Sequence, residues 1–225
     1  MSFELFHGSQ YLIEKPIFGK GKAENDYGLG FYCTEDIELA KEWACPKPVD
    51  GYANCYEIET KNLAILNLNA PEYTILHWLS VLVSNRRFGR TSAVMALGVD
   101  WLKDHFPVDL TGYDLVRGYR ADDSYFSFAR AFLSNTIPLS TLSEAMRLGN
   151  LGEQVVLKSE KAFDEIRFVG HEIAPATVYY PRRKHRDETA RRDFQLKAAA
   201  DFVKGGLFMR DIIAEKVEAG DGRLH

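Results

Sequence analysis

The sequence of 225 residues has few of the features that mark specialised classes of protein. Its three cysteines, Cys33, Cys45 and Cys55, are odd in number and lack metal-ligand spacing, which argues against a disulfide framework and against a zinc site. We interpret them as small buried hydrophobes suited to a reducing compartment. The longest apolar stretch, at 75–83, includes a histidine and a serine and is far too short to span a bilayer.

The charge and composition of the chain also indicate no specialised class of protein. Its formal net charge of -4 gives no general attraction toward nucleic acid or an anionic membrane. A hydrophobic content of 46% and a charged content of 27% are typical of an ordinary globular protein. The sequence shows no early charged segment followed by an apolar one, the pattern of a secretion signal. We therefore expect a cytoplasmic protein with no metal and no membrane partner.

The stretch from Asp26 to Ala44 is the most informative part of the sequence. Two glycines lead into a short aromatic strand, and Thr34 then offers a hydroxyl as the N-cap of a helix with acidic residues in its first turn. Apolar residues at helical spacing follow. This order predicts a glycine-rich turn, a strand and a helix that folds back beside it. Tyr32 and Trp43 would then be close enough to hold a flat, electron-poor ring between them.

Strands and helices follow one another irregularly along the rest of the chain. Basic residues crowd together from Arg182, and an amphipathic helix follows at 194–203. The order predicts an α+β fold, with a domain at 1–181 and a C-terminal helical extension at 182–225. We predict further strands at 3–7, 53–58, 63–68, 112–119, 154–158, 165–169 and 178–180, and further helices at 71–86, 91–105, 125–133 and 141–148.

Three motifs occur in a definite order. His7-Gly8-Ser9 ends the first predicted strand, Gly30-Phe31-Tyr32-Cys33-Thr34 forms the second, and Gly152-Glu153-Gln154 opens a late one. With Trp43, this order resembles the ADP-ribosyltransferase superfamily, in the His-Tyr-Glu branch typified by diphtheria toxin and the poly(ADP-ribose) polymerases. It is most similar to a bacterial group with the pattern His-Gly-Ser … Asp-aromatic-Gly-x-Gly-Phe-Tyr-x-Thr … Ala-x-x-Trp-Ala. The resemblance covers roughly residues 3–170.

The resemblance implies a split β-sheet core with flanking helices, and NAD as co-substrate without a metal. His7 would hydrogen-bond a ribose hydroxyl of NAD, and the backbone of Gly8 would hold the nicotinamide carboxamide. Tyr32 and Trp43 would flank the nicotinamide ring, Trp43 standing where the branch usually has a second tyrosine. The NAD-binding residues implied in this way are His7, Gly8, Ser9, Gly30, Phe31, Tyr32, Thr34 and Trp43.

The third motif departs from the branch, because Gln154 occupies the position of the expected glutamate. A glutamine can orient a ribose hydroxyl, but it lacks the carboxylate charge and cannot act as a base. The adjacent Glu153 would point to the opposite face of its strand. Asp122 and Asp123 are the nearest alternative carboxylates in the predicted order of elements. Our hypothesis is that Gln154 positions the ribose and that one of these aspartates serves the acceptor nucleophile.

The resemblance implies an NAD-dependent ADP-ribosyltransferase, a glycosyltransferase that cleaves the nicotinamide–ribose bond and transfers ADP-ribose to a protein or a nucleic acid. Such a reaction has an oxocarbenium-like transition state, so the site must orient NAD and stabilise developing charge. By the same resemblance, such enzymes serve as toxins of toxin–antitoxin or phage-defence modules, with an antitoxin or inhibitor protein as partner. Two alternatives remain open: a catalytically degenerate NAD- or ADP-ribose-binding regulatory module, and an NAD glycohydrolase.

Each of these residues also has a plain structural interpretation. A histidine at a strand end, such as His7, is often a capped or surface residue. Gln154 is also typical of a hydrogen-bonded polar group in a strand, and the aspartates at 122–123 are typical of a solvated turn. The basic run at 182–192 is typical of a solvated helix face, and contact with an acidic partner or with RNA is its alternative. The glycines of 28–30 lack a third glycine and precede a strand, which excludes a Rossmann fingerprint.

Overall fold

The computed structural model describes residues 2–89, 91–121, 123–148, 153–201 and 206–224. Mixed helices and strands confirm the predicted α+β class. The strands of the described chain are β1 (Ser2–Ser9), β2 (Phe31–Cys33), β3 (Gly51–Glu59), β4 (Ile65–Asn67), β5 (Leu115–Tyr119), β6 (Glu153–Leu157) and β7 (Ile166–Ala174). The helices are α1 (Ile37–Ala44), α2 (Ile75–Asn85), α3 (Ala93–His105), α4 (Asp123–Leu133), α5 (Leu139–Leu148), α6 (Glu160–Asp164), α7 (Ala176–Asp201) and α8 (Met209–Ala214).

The strands form two sheets. The first has three antiparallel strands in the order β1-β3-β7, and the second has the order β2-β6-β5-β4, in which only β4 and β5 run parallel. A two-residue bridge links the sheets, because Phe6 and Thr34 exchange both backbone hydrogen bonds at 2.8 and 2.9 Å. The end of β1 and the start of the segment after β2 are therefore adjacent.

Apolar side chains from both sheets form one cluster. β1 and β3 contribute Leu5 and Ile58, and β2 contributes Cys33, each fully buried. The alternation of side chains along a strand places these residues on one face of their strands and leaves the opposite face for other contacts. The remaining buried members of the cluster are Leu115, Val155, Leu157 and Ala162.

The contacts between residues divide the chain into two compact units. The first unit is Met1–Asn67, Leu110–Tyr119 and Leu151–Arg186, and it contains every strand of the described residues. The second unit is Leu68–Asp109, Arg120–Asn150 and Asp187–His225, and its described elements are helical. No helix in the described ranges is long and apolar enough to cross a membrane.

Several local predictions differ from the structure. The segment at 178–180 is not a strand, because α7 begins at Ala176 and continues through Pro181. The Oη of Tyr179, a buried residue, contacts both carboxylate oxygens of Glu38 at 3.1 Å, and these contacts favour the helix over the β propensity of the sequence. The predicted helix at 71–86 begins later, at Ile75.

Candidate functional site

His7 lies on β1 and is tied to β2. Its Nδ1 is 2.7 Å from the carbonyl oxygen of Tyr32, and its ring stacks on Phe31 with the centroids 4.3 Å apart. A carbonyl can only accept, so Nδ1 carries the proton and Nε2 of the neutral ring is an acceptor. Burial lowers the pKa of His7 and outweighs the hydrogen bond to Tyr32, which raises it. The ring therefore favours the neutral form, with its Nε2 lone pair available.

The backbone of Gly8 faces the open side of β1. The pairing of Phe6 with Thr34 directs the N–H and C=O of Phe6 away from β3, and the alternation of an antiparallel ladder directs those of Gly8 the same way. The N–H and C=O groups of Gly8 therefore lie at the edge of β1 that faces β2, beyond the bridge. A planar amide can pair with such an edge through one donor and one acceptor.

Helix α1 covers the face of β1 at Gly8. A Cβ on Gly8 would lie 1.9 Å from the carbonyl oxygen of Ala40 and 2.7 Å from the Cβ of Trp43, so only glycine permits this approach. The Cβ of Trp43 therefore lies over the face of β1 at Gly8. The Phe6–Thr34 pairing puts Tyr32 on the same face as Gly8, since alternate residues share a face.

The start and orientation of α1 come from charged side chains. The prediction of Thr34 as the N-cap is wrong. The N-cap is Asp36, whose carboxylate accepts from the backbone N–H groups of Glu38 and Leu39 at 2.9 and 3.3 Å. The hydroxyl of Thr34 accepts from the N–H of Asp36. Asp36 is preferred because its ionised oxygen faces the N-terminal dipole of the helix.

Buried Lys41 fixes α1 against β7. Its ammonium group contacts Glu38 at 2.9 Å and Glu172 at 2.8 Å. Burial lowers the pKa of Lys41, but the hydrogen bonds to Glu172 and Glu38 outweigh it and leave the pKa raised. Lys41 is therefore charged at neutral pH, and it joins the helix that carries Trp43 to the first sheet.

The side chain of Tyr32 holds the glycine-rich turn. Its hydroxyl donates to the carbonyl oxygen of Gly28 at 2.6 Å and accepts from the N–H of Tyr27 at 3.1 Å. Lys158 donates to the carbonyl oxygens of Tyr27 and Leu29 at 2.5 and 2.6 Å, and burial lowers the pKa of this lysine. The turn before β2 is thus fixed from two sides.

Gln154 lies on β6, on the same face as Tyr32. Tyr32 pairs with Val156, and Gln154 is two residues along from Val156. Gln154 is only 3% exposed, and its Nε2 donates to the carboxylate of Asp26 at 3.0 Å and to the carbonyl oxygen of Tyr119 at 3.1 Å. Asp26 is itself only 5% exposed.

Four of the predicted NAD-binding residues have structural contacts of their own. Ser9 Oγ accepts from the N–H of Tyr11 at 3.1 Å, and Phe31 packs between His7 and the core. Thr34 supplies the bridge to β1. A Cβ on Gly30 would lie 2.6 Å from Val156 and 2.8 Å from the backbone oxygen of Leu157, so the turn approaches β6 closely there.

The two predicted acidic residues, at 122–123, fall outside what the structure describes of side chains. Asp122 lies outside the described residues, and so does the side chain of Asp123, whose backbone begins α4 in the second unit. Glu153 is exposed and contacts Arg117 at 3.3 Å. Among the described residues, no group of three or more His, Cys, Asp or Glu side chains is placed to hold a metal ion.

A family model matches residues 3–168, more than half of the chain. The chain belongs to the family described as protein of unknown function (DUF3990). The DUF3990 match spans β1 to the first strand residues of β7 and includes His7, Tyr32 and Gln154. No curated protein and no solved structure matches this chain.

Within the DUF3990 region, sequence reasoning missed Asp26 as a site residue. The aspartate precedes the aromatic residue and the glycines of the turn, and it was part of the motif, yet its partner is 128 positions away on β6. Sequence spacing alone could not reveal that contact. The described arrangement offers an acceptor nitrogen at His7, an open backbone edge at Gly8, two aromatic side chains on one face, and an amide held by a buried carboxylate.

Proposed function

We propose that this chain is an NAD-dependent ADP-ribosyltransferase whose site lies at the open edge of β1. The reaction would break the C1′–N glycosidic bond, release neutral nicotinamide with the bonding electron pair, and join C1′ to an acceptor nucleophile whose proton passes to solvent. NAD supplies the ADP-ribosyl group and the leaving group. The protein supplies orientation and charge stabilisation, which suit a transition state of oxocarbenium character.

The open backbone edge of Gly8 is the observation that carries this proposal. The N–H and C=O of Gly8 face away from β3, Tyr32 shares the face of Gly8, and the Cβ of Trp43 on α1 lies over that face. A carboxamide has one carbonyl and one amino group, so Gly8 would bind it through two hydrogen bonds, as a neighbouring strand would. The aromatic side chains would favour a flat cationic ring beside that edge.

His7 supports the same proposal through its proton. The backbone carbonyl of Tyr32 fixes the proton on Nδ1, so Nε2 would accept a hydrogen bond from a ribose hydroxyl. A protonated ring would lose this acceptor. The lowered pKa keeps the acceptor form at neutral pH.

Gln154 would orient the nicotinamide ribose, and it would not act as a base because an amide has no useful proton affinity. We also propose that the first unit has the split-sheet core of the ADP-ribosyltransferases. Its two bridged sheets are compatible with that core. We further propose a protein or nucleic-acid acceptor, action in the cytoplasm, and restraint by an antitoxin or inhibitor protein.

The proposal is tested with purified protein, labelled NAD and a cell lysate whose protein and RNA fractions are separated. His7→Ala and Tyr32→Ala variants run beside the wild type, and His171→Ala, an exposed histidine of β7, is the matched control. Label in one fraction that is lost in the two site variants and kept in the control supports transfer and identifies the acceptor class.

Three other outcomes are distinct. Release of nicotinamide with free ADP-ribose and no labelled macromolecule would indicate an NAD glycohydrolase. Binding of NAD without turnover would indicate a regulatory module. Absence of both binding and turnover would overturn the proposal.

A further inference from the structure

A buried carboxylate lies in direct contact with the amide that replaces the expected glutamate. Asp26 Oδ2 is 3.0 Å from Nε2 of Gln154, and both side chains are almost completely buried. The carboxylate therefore comes from the turn before β2, although β6 carries none at this position. It is not one of the two aspartates at 122–123 that the sequence suggested.

We propose that Asp26 is a positioning residue of the site, which orients the amide of Gln154 and keeps a negative charge beside it. This inference rests on the proposed NAD-dependent transfer. Asp26 and Gln154 together would then perform the role that a single glutamate performs in the His-Tyr-Glu branch. Gln154 would contact the ribose, and Asp26 would act through Gln154.

The orientation of the amide follows from its two partners. The carboxylate of Asp26 and the backbone oxygen of Tyr119 are both acceptors, so the nitrogen of Gln154 must face them. The oxygen of the amide is then directed away from both. A hydrogen bond from an amide to an ionised carboxylate is stronger than one to a neutral acceptor, so Asp26 strengthens this choice over the flipped amide.

The position of Asp26 is fixed by its neighbours in the turn. The hydroxyl of Tyr27 donates to the same Tyr119 carbonyl that accepts from Gln154, at 2.7 Å, and Tyr27 is fully buried. Lys158 holds the carbonyl oxygens of Tyr27 and Leu29. The carboxylate is therefore attached to a segment with several fixed contacts to β5 and β6.

The negative charge has a second consequence. When Asp26 is ionised, its carboxylate would favour positive charge that develops nearby, since charges interact more strongly in a buried environment than in water. A glutamate at position 154 would place two carboxylates in contact with each other. One of them would then take up a proton, because like charges at such a distance oppose ionisation. A glutamine at position 154 avoids this conflict and donates to Asp26 instead.

The alternative is a purely structural role, in which Asp26 only anchors the turn. The two roles predict different results when the charge is moved between the partners. In the structural role, the activity of every variant, including Asp26→Asn with Gln154→Glu, falls only together with its Tm. In the positioning role, that double variant restores one carboxylate and one amide in contact, with the two groups exchanged.

The experiment measures nicotinamide release from NAD for the full-length wild type, Asp26→Asn, Gln154→Glu and the double variant. NAD binding by calorimetry and Tm are recorded for each protein. Glu24→Gln removes a carboxylate from the exposed part of the same loop and is the matched control. Asp26→Asn retains the size of the side chain and an acceptor oxygen, so its main change is the loss of charge.

We expect Asp26→Asn to lower kcat by about 100-fold, the order of loss that misplacement of a positioning group causes. Its KM for NAD should stay within about threefold of the wild type, since the aromatic and backbone contacts remain. The kcat of Gln154→Glu should fall by a similar factor. The kcat of the double variant should be at least about tenfold higher than that of either single variant. Glu24→Gln should match the wild type.

Two failures are distinguishable. If the wild type neither turns over nor binds NAD, the proposed function fails and this inference fails with it. If the wild type is active and Asp26→Asn keeps full kcat, or if the double variant is less active than either single variant, only the role of Asp26 is overturned.

Discussion

The Nδ1 of His7 lies 2.7 Å from the backbone oxygen of Tyr32, so a side chain of β1 is fixed by the backbone of β2. This one contact determines the tautomer of the imidazole, because the carbonyl oxygen can only accept. It also places the ring next to the bridge between the two sheets, which Phe6 and Thr34 form. The stacking of His7 on Phe31 fixes the ring plane as well.

The first prediction concerns the pH dependence of stability. Since folding lowers the pKa of His7, the unfolded chain binds a proton as pH falls below the ordinary value of 6.5 while the native ring resists it. Stability is therefore lost on acidification through this range. The measurement is Tm from pH 7.5 to pH 5.5, and His7→Asn should show a smaller decrease than the wild type. Equal slopes for the two proteins would contradict the assignment.

The second prediction concerns the close packing of α1 on β1. Gly8→Ala should destabilise the protein by about 1–3 kcal/mol, since the new methyl group overlaps the backbone of the helix. Alanine in a strand is ordinarily the more stable residue, so the sign of the effect is informative. Urea unfolding measures the change, with Gly220→Ala as control because a Cβ there meets nothing within 4 Å. If Gly8→Ala left the free energy of unfolding unchanged, α1 would have to move away from β1 without cost.

The third prediction separates the ring of Tyr32 from its hydroxyl. Tyr32→Phe should cost about 1–2 kcal/mol, because the carbonyl of Gly28 and the N–H of Tyr27 each lose a partner. It should keep NAD binding, which we assign to the ring, whereas Tyr32→Ala should lose it. Calorimetry with NAD and urea unfolding measure the two effects. Loss of NAD binding in Tyr32→Phe would assign the interaction to the hydroxyl instead.

The fourth prediction concerns Lys158, which holds the turn at 27–29. Lys158→Met keeps most of the apolar stem but leaves two carbonyl oxygens without their donor, at a cost of about 1–3 kcal/mol. Limited proteolysis should then cut the turn more rapidly. Lys61→Met, at an exposed position, should leave the rate unchanged. Identical proteolysis of both variants would show that the turn does not depend on Lys158.

Much of the fold could be predicted because periodicity is local. The short strand at Phe31–Cys33 and the strand at β6 follow from apolar runs between turn residues, and α1 follows from its helical spacing. The segment at 178–180 could not be predicted, since its β-branched and aromatic residues favour a strand. Contacts of Tyr179 with α1 decide for the helix.

The candidate site was predictable only in part. The motifs identified His7, Tyr32 and Gln154 because each lies at a strand, whose position follows from the order of elements. Asp26 belongs to a turn without periodicity, and the path of such a turn depends on long-range contacts. Its hydrogen bond to Gln154 joins residues 128 positions apart, which no local pattern encodes.

The most direct test of the account is a proton NMR time course of NAD with purified wild-type protein, with His7→Ala and Gln154→Ala as comparisons. We expect free nicotinamide to accumulate with the wild type when an acceptor-containing lysate fraction is added, and both variants to release it much more slowly. Unchanged NAD signals with the wild type, in the presence of every lysate fraction, would contradict it.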